Sequence, residues 1–297
     1  MNWDDIEQTI STAAAAEYKL ANKSHVGGGC INDAMKISGT LAGQPHAYFI
    51  KFNEANRLDM FEAEAAGLHE MAEAKAIKVP EPVCTGISGS QAYIVMEHLE
   101  MGGGARGVMS ELGEQLAELH RHTNAQFGWH RENTIGSTPQ INDWEDNWVS
   151  FWQRHRLGFQ IELAARRGYG SSNMKRAEKL NDRIAEFFTT YQPEASLIHG
   201  DLWSGNYSIL ATGEPVIFDP ATYYGDREAE IAMTELFGGF AGEFYTAYNN
   251  SWPLDEGYQV RKTLYNAYHI LNHFNMFGGG YGSQAASMID RCLADLG

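Results

Sequence analysis

Residues 99–107, "LEMGGGARG", separate two halves of the chain that are patterned for different secondary structure, and so limit the folds open to it. Before this glycine-rich stretch, short apolar runs alternate with turns. "EQTISTAAAAEY" reads as a leading helix, and "AMKISG" and "AYFIKFN" read as strands flanking the turn-rich "GTLAGQPH". "DMFEAEAAGLHEMAEA" is rich in good helix formers, "VPEPVCTG" breaks that helix with Pro80 and Pro82, and "AYIVMEHL" supplies a last apolar strand. After the stretch, Leu112, Leu116 and Leu119 recur at helical spacing, and helical patterns cover 143–166, 172–191 and 257–276. The expectation is an α+β chain of two lobes: a β-rich N-lobe over 1–98 with one main helix, a hinge over 99–108, and a larger α-rich C-lobe over 109–297. A ligand cleft between lobes is the usual use of such an architecture.

The chain has 297 residues, with 22 Lys and Arg against 38 Asp and Glu, a formal charge of −16. That field repels nucleic acid and anionic membrane surfaces, so neither is expected as a partner. The three cysteines, Cys30, Cys84 and Cys292, form no CxxC pair and cannot all be paired, which points to a reducing compartment. "MNWDDIEQTI" lacks a basic and apolar leader, and no run reaches the roughly 18 apolar residues of a spanning helix. A cytoplasmic location follows as the expectation.

Chemistry concentrates in "HGDLWSGN", where Asp201 and Asn206 stand five residues apart on one predicted loop. Asp219 ends the apolar run "PVIFD" thirteen residues later, a gap that suits a short hairpin. Phosphoryl transfer uses such a set: one Asp to accept the proton of the attacking hydroxyl, with an Asn and a second Asp as oxygen ligands for Mg²⁺. Either aspartate taken singly is better explained as a turn cap; the ordered set is what points to chemistry.

The first half carries complementary parts. Lys51 lies within the apolar strand "YFIKFN", and Glu64, on the following predicted helix, is its expected ion-pair partner, with Glu62 as the fallback. A Lys–Glu pair of this kind positions nucleotide phosphates in kinases. Gly27, Gly28 and Gly29 would let backbone N–H groups approach phosphate, although three glycines also make a plain turn. They form neither GxGxxG nor GxxxxGK[ST]. "IVMEHL" runs into the hinge, where backbone groups of Met96, Glu97, His98 and Leu99 are the expected adenine contacts.

These residues resemble the fructosamine kinase (ketosamine-3-kinase) family, a branch of the aminoglycoside-phosphotransferase-like kinases with a protein-kinase-like fold. The resemblance runs over nearly the whole chain and is carried by "HGDLWSGN", "FDPATYYGDREAEIAM", "LFGGF", "NTIGSTPQIN" and "WVSFWQRHRL". It implies Asp201 as catalytic base, Asn206 and Asp219 as Mg²⁺ ligands, Lys51 and Glu64 on the ATP phosphates, and Glu97 to Leu99 as adenine hinge. It implies ATP-dependent phosphorylation of the sugar 3-hydroxyl of ketosamines, either free small molecules or glycated protein lysines, which makes the adduct labile and repairs glycation.

The flanking residues suit a polyol acceptor. Trp203 either stacks on a sugar ring or anchors the loop in the core. Tyr224, Arg227 and Glu228, with Tyr223 and Asp226, are candidates for bonding substrate hydroxyls or the amine; Glu230 and Arg227 have the alternative of bracing the catalytic loop, which is the expectation for Glu230. His199 and His120 are expected to be structural. Cys30, in the glycine loop, is a candidate redox switch, inhibiting on oxidation or linking two copies of an otherwise monomeric chain. Two other readings stay open: a kinase for an aminoglycoside, choline, homoserine or methylthioribose hydroxyl, and a nucleotide-binding pseudokinase.

Overall fold

Alternation along residues 44–54 organises the first half of the structure. In a computed structural model, which describes residues 1–27, 31–102, 104 and 106–297, the chain divides into two compact units. One holds residues 1–108 with 208–219, the other 109–207 with 220–297. Gly28 and Gly29 of the expected phosphate loop, and Cys30 of the expected redox switch, lie outside the described residues.

In the first unit, helix α1 (Trp3–Ala13) precedes strands β1 (Tyr18–His25), β2 (Asp33–Leu41) and β3 (Gln44–Glu54); helix α2 (Leu58–Ala74) then leads to β4 (Pro82–Ser88) and β5 (Gln91–Glu97). The strands form one antiparallel sheet in the order β1-β2-β3-β5-β4. Because side chains alternate across a strand, Tyr48, Ile50 and Phe52 of β3 enter a core with Ile6 and Ile10 of α1. Each such fully buried side chain contributes about 1.5–3 kcal/mol. Lys51 faces the other way, toward α2, whose Phe61, Leu68 and Met71 are fully buried.

The leading helix is shifted from its expected span of 7–18. Asn2 caps its start by accepting from the Asp4 N–H, Ala15 turns the chain at φ +50°, and the Tyr18 N–H donates to Ser11 Oγ at 2.9 Å, so Tyr18 opens a strand. That strand, "YKLANKSH", is an edge strand with little buried surface and no apolar alternation, which is why its sequence shows no strand signal. The predicted turn 39–46 is mostly strand; only Ala42 and Gly43, both at positive φ, separate β2 from β3.

Residues 208–219 join this unit from far along the chain. They carry most of the hairpin of β10 (Tyr207–Ile209) and β11 (Pro215–Ile217). The Gly102 N–H donates to Ile209 O, the Ala211 N–H to Glu100 O, and the Ile217 N–H to Lys78 O, at 3.0, 2.8 and 3.1 Å.

The second unit is mainly helical. It contains α3 (Val108–His120), the short strands β6 (Thr123–Asn124), β7 (Asn133–Ile135) and β8 (Thr138–Gln140), α4 (Trp148–Phe151), a π-helical stretch (Trp152–Leu157), α5 (Gly158–Arg166) and α6 (Ser171–Asp182). Strand β9 (Ala195–Ile198) leads to the HGD turn, and β12 (Tyr223–Gly225) precedes α7 (Arg227–Thr234), α8 (Gly242–Ser251), α9 (Tyr258–Phe277) and α10 (Tyr281–Asp295). The sheet is β12-β9-β6. The expected helix over 143–166 starts only at Trp148, capped by Asn147, and passes through the π stretch; that over 172–191 ends at Asp182 and gives way to a 3-10 turn.

His269 on α9 is buried, and burial holds its imidazole down at a pKa of about 3 against an ordinary 6.5. The unfolded chain takes up this proton as pH drops below about 6.5 while the folded chain does not, so stability is lost on acidification through that window. From pH 7 to 5 the loss from this one group is about 2 kcal/mol. Urea midpoints measured at both pH values are expected to diverge by that much more in the native protein than in His269→Asn; equal divergence in the two proteins rules the effect out.

Candidate active site

Lys51 is 7 % exposed, and its ammonium lies 2.6 Å from Glu64 Oε1 and also bonds Asp219. Residues 61, 64 and 68 fall on one stripe of α2, so Glu64 is aimed at the sheet together with buried Phe61 and Leu68. Burial works against the ammonium, but the two carboxylates outweigh it and raise the Lys51 pKa above its ordinary value, so the lysine is a fixed cation. Asp219 adopts φ +61°, an unusual conformation for a residue with a side chain, directly after a strand tied to Lys78. Its side chain is 44 % exposed, so the carboxylate that contacts Lys51 also faces solvent.

Gly27 is exposed, and a Cβ there would meet nothing within 4 Å. At the expected hinge, Met96 is buried and paired on both sides, to Phe49 and Pro82. The Glu97 N–H donates to Glu81 O at 2.8 Å and its carboxylate holds Lys78 at 2.6 Å, so of its backbone groups the N–H is already engaged. His98 and Leu99 follow beyond the strand's end.

In the second unit the HGD turn is held from behind. Glu230, buried on α7, accepts the His199 N–H at 3.0 Å and the Gly200 N–H at 2.6 Å, and its Oε1 also meets His120 Nε2 at 2.9 Å. Tyr248 stands 2.7 Å from His120 Nδ1 and receives Arg227 at 3.1 Å. Burial would raise the Glu230 carboxyl, yet His120 and His199 hold it below the usual carboxylate range. Burial in turn lowers His120, whose neutral ring can then donate from Nε2 and accept at Nδ1. Gly200 sits at φ +84°, where a Cβ would meet Ala221 O at 2.1 Å, so only glycine closes this turn. The result is a rigid platform for Asp201, whose N–H faces His199 Nδ1 at 3.3 Å. Asn206 is buried, and its Nδ2 donates to Asp201 O at 2.8 Å.

Trp203 is 37 % exposed and lies against Gly205, where a Cβ would collide with the indole at 2.4 Å. Tyr224 is half-buried beside Trp144, with ring centroids 6.2 Å apart. Arg227 and Glu228, expected at the substrate, are instead buried in the frame. Arg227 donates to Trp252 O and Pro253 O at 3.1 and 2.6 Å and lies over the Trp252 ring. Glu228 pairs with Arg261 at 2.8 Å and accepts the Asp255 N–H. Asp226 caps α7 and accepts from Tyr191 and Tyr265. The polar run after Tyr224 thus builds a brace, not a ligand surface.

Sequence reasoning missed the supports contributed by residues 133–156. Asn133 Nδ2 donates to Thr222 O at 2.7 Å and Gln140 Nε2 to Ala221 O at 3.0 Å, pinning the backbone against which Gly200 packs. Arg156, fully buried, donates to Ile141 O and Asn142 Oδ1 and stacks 3.9 Å over Tyr223. The only signal was the density of amide side chains in "NTIGSTPQIN" beside the buried aromatics of "WVSFW".

Comparison with known proteins now gives this arrangement a class. The aminoglycoside phosphotransferase APH(2'')-Ib shares the architecture at 10 % identity, with a TM-score of 0.62 over 98 % of both chains, so the fold is that of the protein-kinase-like phosphotransferases. Within that class the chain belongs to the fructosamine kinase family, whose model matches residues 2–295. A solved structure named for a fructosamine-3-kinase from Haemophilus somnus superposes with a TM-score of 0.88 at 28 % identity, covering 98 % of this chain and 97 % of that one. A probable ketoamine kinase of Synechocystis is 48 % identical over 98 % of this chain and 97 % of its own length. A chloroplastic protein-ribulosamine 3-kinase of Arabidopsis thaliana is 44 % identical over all of this chain and 90 % of its own.

Proposed function

We propose that this chain transfers the γ-phosphoryl group of ATP to the 3-hydroxyl of a ketosamine, the rearranged adduct of a sugar with an amine. The observation that carries this reading is the buried Lys51 ammonium, held charged between Glu64 and Asp219. A fixed cation there can take the α- and β-phosphates, while Asp201 on its braced turn accepts the proton of the attacking hydroxyl. Asn206 and Asp219 supply the hard oxygens that Mg²⁺ prefers: the Asn206 amide nitrogen is engaged by Asp201, which turns its carbonyl oxygen into the end left for a cation, and the Asp219 carboxylate is accessible. Bound there, Mg²⁺ would neutralise phosphate charge. The exposed Trp203 indole offers an apolar face for the sugar ring.

Phosphorylation at the 3-position loosens the amine from the sugar, and deglycation is the consequence we assign to the activity. Burial pushes the Cys84 and Cys292 thiols up to about 12, which suits inert cysteines in a reducing cytoplasm. Among the described residues no helix is long and apolar enough to cross a membrane. Incubation with ATP, Mg²⁺ and a panel of fructosyl- and ribulosyl-amines, followed by phosphorus NMR, is expected to show one new phosphomonoester on the sugar. Transfer to an aminoglycoside or choline but to no ketosamine overturns the assignment.

A further inference from the structure

Lys36 on β2 belongs to a small cluster of titratable groups whose side chains phosphoryl transfer does not use. Its ammonium lies 2.9 Å from Glu100 Oε1, and the same oxygen stands 3.5 Å from His98 Nδ1. The Lys36 side chain is 32 % exposed and that of Glu100 is 71 % exposed, so small solutes reach both, while His98 is largely covered. Burial and the Lys36 cation hold the His98 imidazole below its ordinary value, so at neutral pH the ring is uncharged and can take a proton. Other lysines share the ion pair without the ring. Lys78 meets Glu97 at 2.6 Å and Lys262 meets Glu235 at 2.7 Å, with the lysine side chains 38 % and 27 % exposed, and no imidazole meets either carboxylate among the described residues. Lys36 also shares a face of the sheet with Lys51: it stands opposite Phe49 on β3, and Ala34, two residues earlier, stands opposite Lys51. Residues opposite each other or two apart along a strand point the same way, which sets the backbones of Lys36 and Lys51 about 7–8 Å apart.

We propose that Lys36 is itself a site of glycation by reducing sugars, with Glu100 and His98 as its proton carriers, and that the adduct obstructs nucleotide binding. The Lys36 nitrogen bonds to the C1 aldehyde carbon of the sugar; two of the three ammonium protons, relayed by Glu100, leave with the aldehyde oxygen as water, and a protonated imine remains. The imidazole then removes the C2 proton, a proton returns at C1, and the C2 hydroxyl proton ends on the amine. C2 is thereby oxidised to a ketone and C1 reduced to a methylene within one molecule, with no outside oxidant. The product is a polyol side chain on the face of the sheet that carries the phosphate-binding lysine. Lys51 is protected from the same fate, being buried and held between Glu64 and Asp219. The obstruction of nucleotide rests on the kinase reading; the modification does not.

The test is peptide mapping by mass spectrometry after incubation with ribose. In the native protein Lys36 is expected to gain the ketosamine about tenfold faster than Lys78, a modest gain for proton carriers that were not placed for catalysis. His98→Gln should bring the Lys36 rate down to that of Lys78 and leave the Lys78 rate as it was. Lys51 is expected to stay unmodified in both proteins, which reports that the variant is folded; if it is not, Glu100→Gln carries the same comparison. Native protein modified at Lys36 should bind ATP about tenfold more weakly by calorimetry than untreated protein, whereas Lys36→Met, given the same treatment, should keep the affinity it had before. Equal rates at Lys36 and Lys78 in the native protein, an unchanged Lys36 rate in the folded variant, or an ATP affinity that survives treatment in the native protein or falls equally in Lys36→Met overturns the proposal. Failure of untreated native protein to bind ATP overturns the kinase reading and leaves the mapping at Lys36 standing.

Discussion

Asp201→Asn is expected to lower kcat by about 10²–10⁴-fold, the range a positioned general base supplies, while leaving the fold and nucleotide affinity unchanged. The substitution is close to isosteric, and of the two bonds from Asn206 Nδ2 that tie the loop, the short one at 2.8 Å ends on the backbone oxygen of residue 201, which both side chains keep, while only the long one at 3.5 Å reaches the carboxylate. The platform beneath, Glu230 bonded to the His199 and Gly200 N–H groups, does not involve the Asp201 carboxylate. A turnover number within tenfold of native, measured by ADP release with saturating ketosamine, would show that Asp201 is not the base.

Lys51→Met should have two separable effects. It removes the cation expected on the phosphates, a loss on the order of 10²–10³ in kcat/KM for a preorganised charge contact. It also leaves the Glu64 carboxylate, whose side chain is 10 % exposed, buried without its counter-charge, which costs about 3–5 kcal/mol of stability. Lys51→Met/Glu64→Gln removes both charges and is expected to regain most of the stability and none of the activity. If the double variant regains activity, the lysine serves the fold alone; if the single variant is as stable as native, the pair is not the buried unit that its geometry indicates.

The Lys51–Glu64 contact was legible because two periodicities intersect in it: alternation turns Lys51 to one face of its strand, and the 61–64–68 stripe turns Glu64 toward that face. The HGD turn was legible for a similar reason, since Gly200, Asp201 and Asn206 owe their roles to local backbone geometry. Arg227 could not be decided between substrate and brace, and Glu228 was placed at the substrate, because a polar run looks the same whether it faces a ligand or the inside of a protein. Only the partners, Trp252 O, Pro253 O and Arg261, distant in sequence, show which. Arg156 was overlooked because a buried guanidinium held through its two terminal nitrogens leaves no trace in hydrophobic periodicity. Helix lengths in the second half were overestimated at 143–146, which precede the Asn147 cap, and past Asp182, where a 3-10 segment continues the apolar pattern without the α-helical hydrogen bonds.

Asp219 reaches Lys51 on a segment that leaves the first unit at residue 108 and rejoins it at 208. The chain therefore passes between the units at three places in sequence, and the first unit is not a cassette. A recombination with one junction near residue 108 would exchange acceptor specificities only by also exchanging the hairpin that carries Asp219, so the lysine of one parent would meet the aspartate of the other. Lineages that diversify their acceptor by shuffling must keep these two residues compatible across the exchange. Point substitution around Trp203, the acceptor surface proposed above, faces no such constraint, which makes gradual change there the easier evolutionary route.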